Sequence, residues 1–592
     1  MSAAKHYLTD PTHAVLTALH SLTLTNPSLL CDEKNKIVYR NPSSLSSPKN
    51  VAVVCGGGSG HEPGFAGFVG EGLLTACVAG TIFASPAAEQ VRTCLQHRLP
   101  HESEGVLVIT TNYTGDVLNF GMGVEKARAL GKKVEMVVVG DDVGVGRAKG
   151  GKVGRRGLSG TALVVKICGA LAEKGVGLED CARVGRMVVG NLVSLGASLS
   201  RVHVPGRGIE EAREEEERLG PGLVEVGMGI HNEPGCEKVK TDLPGLIKIM
   251  LRQMLDQNDK DRAYVEIEKT DETMLLVNNF GGVSNLELGA ILNEVVVQLE
   301  KDYGLRPKRI VQGTLFGSLD GPGLIVSVLK LADTGLGHGK SMLDALDAPV
   351  NAIGWPRCVS AETWQQDYKS PSEKREDEED ETKPSNLTID PAHFKNSLTP
   401  ALNKLIAAEA EITKYDSVVG DGDCGIGIKR GAEATIKALS NISSPDIMHA
   451  FATICPTIET SMDGTSGALY AIFLNALASN IRSLDTSSPQ PVTRAIWAKA
   501  LDLSLKDLSV YTPAQPGDRT LMDALVPFVE TLNRTGTVKE AAAAAKSGAD
   551  KTKGMKASLG RSVYVGGSGF EEVPDPGAYG LSVFLSGLAE AL

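Results

Sequence analysis

Large aromatic side chains are scarce in this chain: Phe, Trp and Tyr together make up 4 % of its 592 residues. Glycine is abundant instead, with 66 residues against a usual share of about 7 %, so tight turns and close backbone approaches must be frequent. A surplus of positive charge is also missing. Lys and Arg number 60 against 72 Asp and Glu, a formal charge of −12, which excludes bulk attraction to nucleic acid polymers or anionic membranes. No apolar run approaches the ~18 residues needed to span a bilayer, and Met1-Ser-Ala-Ala-Lys-His-Tyr-Leu8 lacks the apolar stretch of a secretory signal. The ten cysteines form neither a Cys-x-x-Cys pair nor a Cys/His cluster at zinc spacing. Cys55 and Cys168 stand in apolar runs and read as buried reduced thiols. With no peroxisomal signal in Leu588-Ala-Glu-Ala-Leu592, the expected compartment is the cytoplasm.

What is present is the composition of an ordinary globular protein, 42 % hydrophobic and 22 % charged. From Lys369 to Ser385 the chain has no apolar side chain apart from its prolines. Such a run cannot offset the entropy of ordering it, which predicts a solvated acidic linker over 357–388 rather than an exposed charged helix. Upstream, β-branched apolar runs such as Val51-Ala-Val-Val, Val106-Leu-Val-Ile-Thr and Val134-Glu-Met-Val-Val-Val alternate with helix-like segments. That alternation predicts α/β layers with parallel strands, in two lobes of about 1–200 and 201–356. The second lobe resumes near Leu223, after the charged segment Glu210 to Arg218. Downstream, over 389–592, long amphipathic stretches such as Pro391 to Lys414, Pro445 to Ser461 and Val538 to Leu559 predict an all-α bundle joined by glycine-rich loops.

Several of those loops carry chemistry. The strand at Val51 runs into Gly56-Gly-Gly-Ser-Gly-His-Glu-Pro63, which satisfies neither the Walker nor the Rossmann pattern. His61 stands at the C-terminal edge of a strand, where open α/β sheets bind ligands, and reads either as an acid or base near neutral pH or as a turn histidine. Thr111-Asn-Tyr-Thr-Gly-Asp116 and Gly227-Met-Gly-Ile-His231-Asn-Glu-Pro-Gly235 repeat the theme. Gly140 to Gly157 carries Arg147, Lys149, Lys152, Arg155 and Arg156, and reads as a phosphate-meeting loop or a solvated one. In the helical half, Asp416-Ser-Val-Val-Gly-Asp421-Gly-Asp423 packs three carboxylates into a short glycine-bent segment, a hard-oxygen cage suited to Mg2+ or Ca2+ but without EF-hand spacing. Asp463-Gly-Thr-Ser-Gly has the form of a phosphate-binding helix start or an ordinary Ser/Thr cap. Gly517-Asp-Arg-Thr-Leu-Met-Asp523 and Asp575-Pro-Gly-Ala578 complete the set, which together suggests a nucleoside triphosphate site built without a P-loop.

These motifs, in this order and over nearly the whole chain, resemble the ATP-dependent dihydroxyacetone (glycerone) kinase family of the single-chain, two-domain type. The resemblance implies a multidomain fold, with an N-terminal α/β substrate region and a C-terminal all-α nucleotide-binding domain. It also implies transfer of the ATP γ-phosphoryl group to dihydroxyacetone, with glyceraldehyde as a further substrate. His231 is implied to form a covalent hemiaminal with the ketone. His61 and Asp116 are implied to hold the substrate and assist proton transfer, with Gly58, Ser59, Gly60 and the position of Thr111 in contact with it. Asp416, Asp421 and Asp423 match the aspartates that hold two Mg2+ ions. Asp421, Gly422, Asp423, Cys424, Thr465, Ser466, Arg519, Thr520, Asp575, Pro576 and Gly577 match nucleotide contacts. The same resemblance implies a homodimer. Four positions depart from it: Thr111 replaces a substrate-contacting lysine, Phe65 and Val165 replace histidines, and Asp463 replaces a glycine. Some members cleave FAD to a cyclic flavin phosphate at the nucleotide site. That activity, and a divergent ligand-binding paralogue with weak catalysis, are the alternatives.

Overall fold

The computed structural model describes residues 6–7, 10–205, 219–220, 222–365, 383–559 and 569–592. The acidic run within the expected linker, as far as residue 382, and the charged segment at 210–218 lie outside these residues. The chain divides into two compact units, Met1–Ser370 and Pro371–Leu592.

The first unit is built on two six-stranded sheets. One holds β1 (Leu29–Asp32), β2 (Ile37–Arg40), β3 (Ala52–Ser59), β4 (Ala76–Ile82), β5 (Val106–Thr111) and β6 (Val134–Val139), in the order β1-β2-β4-β3-β5-β6. Its β4-β3-β5-β6 core is parallel, and β1 and β2 add an antiparallel edge. Covered on both faces, β3 is buried at every residue, so it reads as a continuous apolar and glycine run rather than an alternating one. The strand does not stop at Cys55 but continues through the glycines. A side chain on Gly56 would begin 2.1 Å from the Val78 carbonyl oxygen, so glycine here serves close packing of neighbouring strands.

The second sheet holds β7 (Leu192–Ser198), β8 (Val224–Val226), β9 (Glu237–Val239), β10 (Thr273–Asn279), β11 (Arg309–Gly313) and β12 (Gly323–Lys330), in the order β11-β10-β12-β7-β8-β9. It begins ahead of the expected lobe boundary near residue 200. The expectation of parallel strands fails here, because only β10 and β11 run parallel. The chain between β11 and β12 is too short for the helical crossover that a parallel return requires, so β12 comes back antiparallel to β10 and β7.

Helix Gly160–Glu173 lies between the sheets and packs on β3, β5 and β6 of one and β7 and β12 of the other. It is buried on all sides from Gly160 to Ala172, as its apolar sequence requires. Val165 sits in this core together with Phe65. Lys166 is fully buried there, and its ammonium donates to the Ala345 and Ala348 carbonyls at 2.6 and 2.9 Å. Helices Ala88–His97 and Thr114–Ala129 cover the outer face of the first sheet, and Leu243–Leu255 and Asn285–Tyr303 that of the second.

Among the described residues the second unit is helical apart from the two-residue pairing of Leu387–Thr388 with Gln490–Pro491. Asp390, Asp446 and Asp575 accept backbone N–H groups at the starts of helices Pro391–Ala407, Ile447–Ser461 and Pro576–Ala591, two of which have proline in the first turn. The stretch expected as one segment from Pro391 to Lys414 divides at Ala408, and a new helix, Glu409–Val419, carries Asp416. No helix among the described residues is long and apolar enough to cross a membrane.

Candidate active site

Loops from both sheets of the first unit meet at two histidines. His61 follows β3, and its Nε2 lies 3.0 Å from Nε2 of His231, 170 residues further along the chain. His61 is 1 % exposed and stacks between Phe83 and Phe316, with ring centroids 5.2 and 5.5 Å away. Its Nδ1 faces the Gly317 carbonyl at 2.9 Å. A carbonyl only accepts, so Nδ1 carries the proton and Nε2 is bare in the neutral ring. Burial above all, and then the charge of His231, drives His61 down to about 3 from its ordinary 6.5.

The low value makes a stability prediction. Below about 6.5 the unfolded chain takes up a proton at His61, while the folded chain refuses it until about 3, so this residue lowers stability progressively as pH falls through that window. Urea melts of the full-length protein should therefore show His61→Asn gaining on wild type between pH 6.5 and 3.5, by up to about 1.4 kcal/mol per pH unit.

His231 is held from the other side by Glu233. The carboxylate accepts Nδ1–H of His231 at 2.8 Å and the His231 backbone N–H at 2.8 Å. A side chain on Gly229 would begin 2.2 Å from Glu233 Oε2, so only glycine lets the carboxylate fold back over this turn. Although burial alone would raise Glu233, its hydrogen bonds and charge contact with His231 hold it down at about 2. Because the bare Nε2 of His61 can only accept, the 3.0 Å contact requires a proton on His231 Nε2, and that nitrogen gains a free lone pair once the proton leaves. The Tyr113 ring packs edge-on against His231 at 4.7 Å.

Asp116 begins helix Thr114–Ala129 and is 5 % exposed. Burial pushes its carboxyl above the usual range, against hydrogen bonds from Ser85 and Thr111, and the His231 charge also bears on it. Thr111 donates to Asp116 Oδ2 at 2.9 Å. Phe65 stands edge-on to Phe316 at 5.2 Å, placing an apolar ring behind the aromatic that stacks on His61. Ser59 and Gly60 are differently engaged: the Ser59 hydroxyl donates to the Gly80 carbonyl at 3.0 Å, and the Gly60 N–H to the Glu62 carboxylate at 3.0 Å. Gly58 packs against Phe83 and Ala84.

The second unit gathers its own set. Asp416, Asp421 and Asp423 each offer an oxygen within 4.8 Å of the others, with Asp416 buried and the other two exposed. Gly422, at φ +80°, turns the segment so that it doubles back, and the Cys424 N–H donates to Asp416 Oδ2 at 2.9 Å. Three carboxylates this close repel one another unless a cation stands between them, and an all-oxygen donor set suits Mg2+. Burial, and then Asp523 and Asp416, push Asp575 up to about 7 against the Ala578 N–H and the Arg519 charge. Ser466 Oγ lies 3.7 Å from Cys424 Sγ, which sets the start of helix Gly464–Ser483 beside that of Cys424–Leu439. Their open N–H groups are anion-binding ends. Thr465 is exposed on the first turn, and Pro576 and Gly577 open the helix that Asp575 caps. Asp463 makes no cap bond and pairs instead with Arg430 at 2.5 Å.

Arg519 lies apart from any open surface. It is 2 % exposed, and its guanidinium donates to the Met555, Phe570 and Val573 carbonyls at 3.2, 3.0 and 2.9 Å, bracing the segment that leads to Asp575. Thr520 donates its N–H to Asp523 at 2.9 Å. The arginines of 147–157 are likewise engaged by the protein: Arg147, at the surface, binds the carbonyls of Lys260 and Ala263, the half-buried Arg155 that of Leu192, and Arg156 pairs with Asp142. Lys149 and Lys152 of that basic loop are exposed, as is Arg147 despite its bonds to carbonyls.

Sequence reasoning missed Glu233, although a carboxylate two residues from a histidine in a glycine-bracketed loop was a usable signal. It also missed Phe83 and Phe316, which reach His61 from segments with no local signature.

Residues 20–354 match the Dak1 domain and residues 418–590 the DAK2 domain. Dihydroxyacetone kinase 1 of Saccharomyces cerevisiae is 40 % identical over 607 residues, covering 100 % of both chains. Triokinase/FMN cyclase of Homo sapiens is 35 % identical over 591 residues, covering 97 % of each. The crystal structure of the dihydroxyacetone kinase from C. freundii in complex with AMP-PNP and Mg2+ aligns over 100 % of both chains, with 29 % identity and a TM-score of 0.59. With both domains matched and full-length relatives at this identity, the chain belongs to the dihydroxyacetone kinase family.

Proposed function

We propose that the protein phosphorylates dihydroxyacetone, and glyceraldehyde as a further triose, at the expense of ATP, and that His231 captures the ketone covalently. The observation that carries this reading is the pairing of His231 Nδ1 with Glu233, which leaves Nε2 as the nucleophilic atom at a half-buried position beside His61. Attack forms the Nε2–carbon bond and breaks the carbonyl π bond; the oxygen takes a proton from water to become a hydroxyl, and the resulting imidazolium keeps its Nδ1–H paired with the Glu233 carboxylate. The captured triose then presents a terminal hydroxyl to Asp116, whose affinity for a proton burial raises, and to the bare Nε2 of His61. Phosphoryl transfer needs little more than position and charge neutralisation. Asp416, Asp421 and Asp423 are the residues that would hold magnesium, which when bound neutralises the phosphate oxygens. Thr465 and Ser466 offer hydroxyls and N–H groups to the phosphates. Two ions, and a homodimer, belong to the same reading; sedimentation of the full-length protein tests the second.

A coupled assay with ATP, Mg2+ and a triose is the direct test. Turnover is expected with dihydroxyacetone and not with glycerol, which offers no carbonyl to His231. No turnover despite normal ATP binding would instead favour a ligand-binding paralogue. The human relative favours one second reading, cleavage of FAD to a cyclic flavin phosphate at the acidic site of the helical unit. Manganese-dependent release of that product without any ketone, equally fast in wild type and His231→Ala, is its signature.

A further inference from the structure

We propose that Phe83 is a specificity-determining residue whose ring restricts the captured ketone to a three-carbon chain, a proposal that rests on His231 as the capturing nucleophile. Phe83 follows β4 with a backbone φ of +58°. That region suits glycine, and a bulky residue held there is an outlier that persists only where the surroundings impose it, most often at functional sites. Its N–H donates to the Ser59 carbonyl at 2.8 Å, and the Ala84 N–H closes the turn onto the Thr81 carbonyl at 3.1 Å. Two of the glycines after Cys55 make room for it. A side chain on Gly58 would begin 3.0 Å from Phe83 Cα, and one on Gly60 would begin 2.7 Å from Cε1 of the ring.

This turn sets the ring against both histidines at once. Its centroid lies 5.2 Å from that of His61, stacked at 21°, and 5.2 Å from that of His231, edge-on at 78°. The two imidazole centroids are 4.8 Å apart, so the three rings form a nearly equilateral triangle, and the Nε2 atoms meet on one of its sides. A carbon bonded to His231 Nε2 therefore has Phe83 as a neighbour. Phe316, on the other face of His61, is fully buried, whereas Phe83 and His231 are partly exposed, so the ring of Phe83 borders the side from which a ligand enters. Two residues further on, Ser85 hydrogen-bonds Asp116. One turn thus borders the nucleophile and both groups that meet the hydroxyl. A hydroxymethyl arm on the captured carbon is short enough to lie along the ring edge. A longer arm has to displace a ring whose backbone and stacking partner are both fixed, and rejection then comes from a clash built into the site.

The test compares two ketones that differ by one carbon, dihydroxyacetone and erythrulose, on full-length wild type, Phe83→Gly and Phe83→Leu. Glycine removes the ring while suiting the left-handed backbone, and leucine keeps part of the bulk. Wild type is expected to favour dihydroxyacetone. The ratio of kcat/KM for erythrulose to that for dihydroxyacetone is expected to rise about 10–100-fold in Phe83→Gly, with Phe83→Leu in between. Losing the stack on His61 lowers turnover of both ketones together, so a ring with only a packing role leaves the ratio at its wild-type value. An unchanged ratio in Phe83→Gly, or equal use of the two ketones by wild type, overturns the proposal; if the glycine variant does not fold, an unchanged ratio in Phe83→Leu does so. Carbon NMR of each ketone labelled with 13C at its carbonyl, without ATP, distinguishes this from failure of the capture reading, because capture replaces the carbonyl signal with that of a tetrahedral carbon. Its absence for dihydroxyacetone on wild type removes the capture reading and this proposal with it, whereas capture with an unchanged ratio removes the specificity role alone.

Discussion

Replacing His231 with alanine is expected to lower kcat/KM for dihydroxyacetone by about 10^4-fold or more, while the affinity for MgATP, measured by calorimetry, stays within twofold of wild type (roughly 0.4 kcal/mol). The size follows from what capture supplies. A triose is small and offers few contacts, so non-covalent binding alone leaves its terminal hydroxyl free to wander, whereas one covalent bond fixes the reacting atom at an effective concentration of about 10^5 M or higher. The loss should not be recovered by raising the ketone concentration, since saturation cannot replace orientation. His231→Gln, which keeps a hydrogen-bonding group near Glu233 but has no nucleophilic nitrogen, should be as inactive as alanine. If either variant retains more than a tenth of wild-type kcat/KM, covalent capture is not the chemistry of this site.

The second large effect belongs to the acidic cage. Asp421→Asn combined with Asp423→Asn removes two charges from exposed positions and leaves buried Asp416 and its bond to the Cys424 N–H in place. The Mg2+ concentration for half-maximal activity is expected to rise by about 100-fold or more, with kcat at saturating metal down by about 10^3-fold, roughly 4 kcal/mol of lost transition-state stabilisation. On the reading in which FAD is cleaved at this site, that activity should fall with it, because the same carboxylates would hold its metal. A folding defect would look different. Measured without metal, the double variant should unfold at a temperature no lower than wild type, since it relieves repulsion among clustered carboxylates. A lower melting temperature in chelator, or unchanged metal dependence, would count against a cation site here.

What could be read from the chain, and what could not, follows the range of the interactions. The acidic cage was legible because its three carboxylates, and the glycine that bends the backbone between them, lie within one short segment. His61 and His231 were legible one at a time, as histidines in glycine-bracketed loops. Their 3.0 Å contact was not, since 170 residues separate them and no local pattern records which strand ends meet. The glycines after Cys55 suggested a loop, but they belong to a strand, because the identity of a glycine says only that something comes close and not whether it is a ligand, a carbonyl or a neighbouring ring. Arg147, Arg155, Arg156 and Arg519 show the same limit for charge. Their donors go to carbonyls and to one buried carboxylate, a pattern set by tertiary packing. The direction of β12 likewise depended on a connection whose length was visible but whose endpoint in the sheet was not.

The helix Gly160–Glu173 acts as a spacer between the two histidines. His61 hangs from one sheet and His231 from the other, and this helix packs against strands of both. Close-packed interiors transmit changes in volume rather than absorbing them. The thickness of the helix at residues such as Val165 and Ile167 therefore sets the gap across which the two imidazoles meet. Reactivity can then be tuned from deep in the hydrophobic interior, by adding or removing a methylene that touches neither substrate nor nucleotide.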